Sequence, residues 1–243
     1  MTGKLWVVWQ NKQTRAYYHI GTLTFNNGIY EFIYTWNEKG TRKLNEALQN
    51  GYFLHPAFPQ KEKTYQSNVL FAAFDRRIPS EDRVDYFSIL DKLHLDKECS
   101  KMDLLQATHG RSANDTYSFE QPIEFENHEI NLEFYIHGMR HMNLPLNWSQ
   151  RIHVDSKLNL KQEPFNEHDS FAVAIYTEEG MKLGYVPAFY SMKISSLLNL
   201  EADYEVKVII IDENSPEAWW VKVKCSCKLP EKLYSPRQEP LVS

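Results

Sequence analysis

An α+β fold made of two small β-rich domains is the architecture this sequence predicts. The first ground is the recurrence, from Leu5 to Lys228, of short runs of β-branched and aromatic residues separated by Asn, Asp, Gly and Pro clusters. The second is that only a few stretches of helical period interrupt those runs. The third is a break at Gln121 to His128, polar and proline-bearing, with a strand-like run on each side. It divides the chain into domains at 1–127 and 128–230, leaving 231–243 as a loose tail with turn composition and no periodicity.

In the first domain, Leu5 to Trp9, Tyr17 to Phe25 and Ile29 to Tyr34 alternate like antiparallel strands. Asn26-Asn27-Gly28 joins the last two as a tight hairpin, because Asn and Gly tolerate the positive φ such a turn demands. Thr41 to Leu48 predicts a short helix stopped by Asn50-Gly51, and Val69 to Phe74 is apolar. Ser80 has N-cap chemistry, followed by Glu81 and Asp82, and Val84, Phe87, Leu90 and Leu93 recur along one helical stripe. A further helix from Met102 to Thr108 is expected to end at Gly110, before a closing strand at Thr116 to Phe119.

In the second domain six strands are expected, at Glu129–His137, Ser156–Glu163, Phe171–Thr177, Met181–Val186, Tyr204–Ile211 and Trp219–Lys228. Pro187, at a first helical position, starts a helix carrying Phe189, Met192, Leu197 and Leu198. Six short strands and one helix suit a small closed barrel.

Composition narrows the function classes. The 243 residues are 42% hydrophobic and 14% aromatic, values of a globular chain. No apolar run nears the roughly 20 residues of a membrane span, and Met1 to Trp9 lacks the apolar core of a signal peptide. Three cysteines make no disulfide framework, so a reducing cytoplasm is the expected compartment. The net charge is −5, and the second domain is the more acidic, with 10 Lys and Arg against 14 Asp and Glu over 128–230. Proteins that bind duplex indiscriminately are usually basic, so this balance argues against that mode and leaves room for a pocket that captures one strand end.

The segment around which the second domain is organised runs from Phe134 to Pro187. It begins with F-Y-I-H-G-M-R-H (134–141), continues through E-P-F-N-E-H-D-S-F-A-V (163–173), and closes on G-Y-V-P (184–187) before the helix. This order of motifs resembles a HIRAN domain over residues 130 to 228. The resemblance implies a small β-barrel that binds single-stranded DNA, by its 3′ end in the best-understood members. It implies that Arg140 meets the DNA backbone and that Asp169 accepts a hydrogen bond from a terminal 3′-hydroxyl. A carboxylate accepts from a hydroxyl and repels a phosphate, so it can tell the two ends apart. Asn166 can donate to a phosphate or base edge. Where such domains place stacking aromatics, this chain has His141, Met142 and His168, and Tyr185 offers a possible replacement face. Asn166 and Asp169 equally have the chemistry of residues that cap a tight turn.

Residues 4 to 120 resemble the N-terminal subdomain of HipA-type toxin kinases, on W-V-V-W-Q-N with G-T-L-T-F, F-A-A-F-D-R-R-I-P and L-L-Q-A-T-H-G-R-S-A-N-D-T-Y-S-F. That resemblance implies a protein-docking role. No kinase core follows, since the chain carries neither a Gly-rich phosphate loop nor H-R-D or D-F-G. No nuclease triplet or hydrolase elbow stands out, so a non-enzymatic binding protein without cofactor is expected. His137 and His141, with His153 and His168, lack the converging set of three or four ligands a metal needs. Cys225 and Cys227 lie two apart on a strand, on one face, and at least one of them reads as a buried small hydrophobe, while Trp219 and Trp220 should face opposite sides of the same strand. Arg76, Arg77, Arg111, Glu81 and Asp82 read as solvated surface charge.

Overall fold

The computed structural model describes residues 3–230. The expected loose tail at 231–243 lies outside the described residues. The chain divides into two compact units between Pro122 and Ile123, inside the polar stretch 121–128. Each unit has its own antiparallel sheet, so the α+β fold with two β-rich domains holds.

In the first unit β1 (Gly3–Gln10), β2 (Tyr17–Asn26), β3 (Ile29–Tyr34), β4 (Tyr65–Ser67) and β5 (Tyr117–Glu120) form a sheet in the order β4-β3-β2-β1-β5. The β2–β3 turn is as expected, with positive φ at Asn27 (50°) and Gly28 (79°). One sheet face buries Leu5, Val7, Ile20, Leu23, Phe32 and Phe119 beneath the short helices α1 (Leu44–Gln49), α2 (Ala72–Asp75) and α4 (Lys101–Thr108).

Three local expectations fail here. The helix α3 runs only from Tyr86 to Lys92, because Ser80 closes a turn onto Asp82 instead of capping a helix. The predicted stripe therefore does not form: Tyr86 and Leu90 are buried, while Val84 and Phe87 face solvent. The end of α4 falls to His109, in the left-handed region, not to Gly110. A Cβ at Gly110 would lie 2.5 Å from the Phe119 ring, so close packing accounts for that glycine. Arg77 is not surface charge. Its side chain is 4% exposed, pairs with Asp115 at 2.5 Å, donates to the Gly110 carbonyl and lies over the Tyr117 ring.

In the second unit β6 (Glu129–Tyr135), β7 (Lys157–Gln162), β8 (Val173–Thr177), β9 (Lys182–Tyr185), β10 (Asp203–Ile211) and β11 (Val221–Lys228) take the order β6-β11-β10-β7-β8-β9. Alternation decides the inner face: Ile130, Leu132 and Phe134 on β6, and Val221, Val223, Cys225 and Cys227 on β11, are all buried. The two thiols stand 3.9 Å apart. Helix α5 (Ala188–Asn199) buries Tyr190, Ile194 and Leu197, and Pro187 is its N-cap, one place earlier than expected. Trp219 and Trp220 precede β11, Trp219 ending a 3₁₀ turn that begins at Glu217. Strand alternation therefore does not orient them. Trp219 packs on Tyr135 and Trp220 on Trp148, with ring centroids 5.3 and 5.4 Å apart.

The edge strands β6 and β9 are brought together just past the end of β6. His137 and Tyr185 exchange two backbone hydrogen bonds of 2.9 Å, so the six-stranded sheet meets itself at this seam. The approach requires Gly184, where a Cβ would come within 2.4 Å of the His137 carbonyl oxygen. Among the described residues, no helix is long and apolar enough to cross a membrane.

Candidate nucleic-acid interface

The seam positions the candidate site. The chain leaves β6 through Gly138, whose φ of +75° turns it into a 3₁₀ turn at Met139–His141. Met139 is buried as the anchor, which leaves Arg140 and His141 exposed and Met142 half-buried. Arg140 Nε donates to His141 Nε2 at 2.9 Å, and Arg140 Nη1 lies 3.7 Å from Glu217 Oε2 on the turn that precedes β11. The guanidinium is 57% exposed, open to a phosphate but not without a competitor.

The second loop joins β7 to β8. Its ends are pinned by the Glu163 N–H on the Ala172 carbonyl (2.8 Å), and its middle by side chains. Asn166 Oδ1 accepts from the N–H groups of His168 and Asp169 at 3.0 and 3.3 Å. Asp169 Oδ1 accepts from Phe171 N–H at 3.0 Å, while Oδ2 accepts from Ser191 Oγ on α5 at 2.7 Å. Both residues thus perform the turn-capping work their chemistry allows.

Behind the loop lies a polar cluster that motif reading did not assemble. The Glu163 carboxylate accepts from Lys182 Nζ (2.6 Å), Tyr185 Oη (2.9 Å), Asn166 Nδ2 (3.3 Å) and Tyr176 Oη (3.4 Å). Lys182 Nζ also donates to Tyr185 Oη at 2.7 Å and stands 4.3 Å from the centre of that ring. Burial pushes the Glu163 pKa up, but the donors Lys182, Tyr185 and Asn166 outweigh it and hold the carboxyl below its ordinary range. Burial likewise pushes Lys182 down, and its bonds to Glu163 and Tyr185 reverse that, holding the ammonium above its ordinary range.

Tyr185 joins the two loops. Its backbone holds His137, its ring lies 3.6 Å from where a Gly138 Cβ would be, and its hydroxyl meets Asn166 at 3.2 Å. Lys182 stands over the Tyr185 ring, and the phenol hydroxyl serves the cluster. His168 is exposed on the second loop, beside two aromatics that the motif reading passed over. Phe165 is 96% exposed and Phe171 38% exposed. The signal for Phe165 is present in the sequence, as an aromatic ring set inside the turn cluster E-P-F-N-E-H-D where no core position can fall. Among the described residues, no three His, Cys, Asp or Glu side chains gather as a metal site.

A short, curled antiparallel sheet with loop-borne polar groups at its seam places this unit among small β-barrel domains. Residues 130–232 match the family model of the HIRAN domain. Two solved structures are similar to the chain. One is a crystal structure of a structural-genomics target from Lactobacillus plantarum, 15% identical, covering 42% of this chain and 99% of that one, with a TM-score of 0.36. The other is a crystal structure of the HIRAN domain of human HLTF, 15% identical, covering 44% of this chain and 85% of that one, with a TM-score of 0.36. A search of curated proteins finds no match.

Proposed function

We propose that the second unit binds an unpaired nucleic-acid strand, in the first place single-stranded DNA at its 3′ end, and that the protein acts by binding rather than catalysis. One observation carries this reading: the HIRAN match over 130–232 includes both loops that meet at Tyr185, with Arg140 exposed on one and Asn166 and Asp169 on the other. Arg140 is the phosphate contact. Asp169 accepts the terminal hydroxyl, and Asn166 holds the loop that presents it. The first unit, whose sequence resembles a docking subdomain, binds a protein partner, and the pair acts as an adaptor in a reducing cytoplasm.

A second reading, a protein-interaction module that has lost nucleic-acid binding, draws support from the Arg140–Glu217 pair and from the capping bonds that already engage Asp169. Fluorescence anisotropy on the full chain separates the two. The probes are labelled single strands ending in 3′-hydroxyl or 3′-phosphate, a strand with its 5′ end exposed, and a duplex. The first reading expects the 3′-hydroxyl strand to bind most tightly. Failure of every oligonucleotide to bind selects the second.

A further inference from the structure

Building on the nucleic-acid reading of the seam, we infer that Phe165 is the base-stacking residue of this site, taking over the role that His141, Met142 and His168 leave unfilled. A single exposed phenylalanine on a surface is ordinary. What sets this one apart is that its mount is fixed while its ring is free. The Asn166 N–H donates to the Glu163 carbonyl at 3.0 Å, and Asn166 Oδ1 gathers the next two N–H groups. Glu163 is tied to Lys182, and Asp169 to Ser191 on α5. These bonds lie on both sides of residue 165, so the backbone that carries the ring is ordered before any ligand arrives. Ordering a loop on binding subtracts from affinity, and a preordered one avoids that loss. At 96% exposure the ring makes almost no packing contribution to the fold.

The chemistry of the surroundings selects the occupant. Between residues 163 and 171 the loop carries no lysine or arginine; Lys182 on β9 answers Glu163, and Glu167 and Asp169 remain to disfavour a phosphate beside Phe165. A flat, uncharged nucleobase meets no such penalty, and stacking on an aromatic face is indifferent to which base it is. Arg140, on the neighbouring loop, supplies the cation the phosphate needs. The division of labour is therefore Arg140 for backbone, Asp169 for the terminal hydroxyl and Phe165 for a base close to it. Phe171, 38% exposed on the same loop, is a subsidiary face.

The test uses the full chain with 5′-fluorescein-labelled oligothymidylate, intact or with abasic sites at its last three 3′ nucleotides. Stacking by alanine substitution is worth about 5- to 150-fold in affinity per base. Phe165→Ala should weaken binding of the intact strand within that range, and Phe165→Trp should keep or raise it. On the abasic strand, wild type and Phe165→Ala should bind alike. At 96% exposure neither substitution touches the core, and circular dichroism checks that both variants fold. Wild type that binds the intact strand no better than Phe165→Ala overturns the assignment of Phe165 and leaves the nucleic-acid reading standing. Wild type that binds neither strand overturns both. An equal loss on intact and abasic strands also overturns it, since the side chain would then be acting on something other than a base.

Discussion

At the residue scale, the proposed site turns first on the contact between Arg140 and Glu217. Their side chains are 57% and 50% exposed and 3.7 Å apart, so the pair adds little to stability. On the proposed reading it matters because the Glu217 carboxylate would compete with a phosphate for the Arg140 guanidinium. Arg140→Ala should weaken single-strand binding and lower its salt slope by about 1, as the loss of one phosphate contact predicts. Glu217→Gln should act in the opposite direction, tightening binding by up to about fivefold, the most that an exposed pair contributes. Anisotropy titrations at several salt concentrations check both, and a Glu217→Gln protein that binds more weakly would place that carboxylate on the ligand's side. Asp169 has its own test: a 3′-phosphate should bind worse than a 3′-hydroxyl, and Asp169→Asn should shrink the difference. Equal binding of both ends by wild type removes Asp169 from end recognition. Arg140, Asn166 and Asp169 are legible from sequence because turn residues and an arginine after a glycine stand out from strand patterns. Their bonds are not legible, since the Asp169–Ser191 contact spans 22 residues and needs the helix in place.

At the scale of elements, strands are legible and their irregularities are not. Each run of β-branched and aromatic residues became a strand, within a few residues at either end, because alternation and flanking turns are local properties. The polar cluster depends instead on a register shift. Tyr176 pairs with Lys182 but Ile175 with Gly184, so one extra residue in β9 brings Lys182 and Tyr185 to the same face, which strict alternation forbids. The predicted α3 stripe failed on two counts: the helix starts two residues too late to include Val84, and within it the buried positions are Tyr86 and Leu90, four apart, which turns Phe87 to solvent. The cluster has a pH signature. Glu163 is held below its ordinary pKa, so its contribution to stability is present above the unfolded carboxylate range and is lost as pH falls through the depressed folded value. Glu163→Gln leaves Lys182 without its ionic partner and should cost about 1–3 kcal/mol at pH 7, the usual range for stranding a partly buried donor. Urea unfolding of both proteins should show that gap closing as the pH falls below the ordinary carboxylate range. A gap that is constant with pH would mean the carboxylate charge plays no part.

At the scale of the molecule, the chain divides between Pro122 and Ile123, five residues before the boundary drawn from the sequence at 127 and 128, in a stretch where a proline and a polar run separate two sets of alternating strands. The meeting of β6 with β9 is not legible, since no local pattern says which strands are edges. The site nevertheless depends on it, because both loops leave the sheet beside the His137–Tyr185 bridge. Gly184 is the lever for testing this dependence. A methyl group there would stand 2.4 Å from the His137 carbonyl oxygen, and the obstacle is backbone, so the two strands must separate. Gly184→Ala should therefore expose the His137 and Tyr185 amides to hydrogen exchange and destabilise the second unit by about 1–3 kcal/mol, as overpacking does. It should also lower affinity for single strands, although every side chain proposed to touch the ligand is kept. Tyr185→Phe is the complementary variant. It removes the hydroxyl bonded to Glu163, Asn166 and Lys182 and leaves the backbone bridge intact. If seam geometry sets the site, Gly184→Ala loses protection at both amides, whereas Tyr185→Phe keeps it and loosens only the β7–β8 loop. Amides at 137 and 185 that stay as protected in Gly184→Ala as in wild type would show that the seam tolerates the methyl group, and the affinity argument built on it would fall.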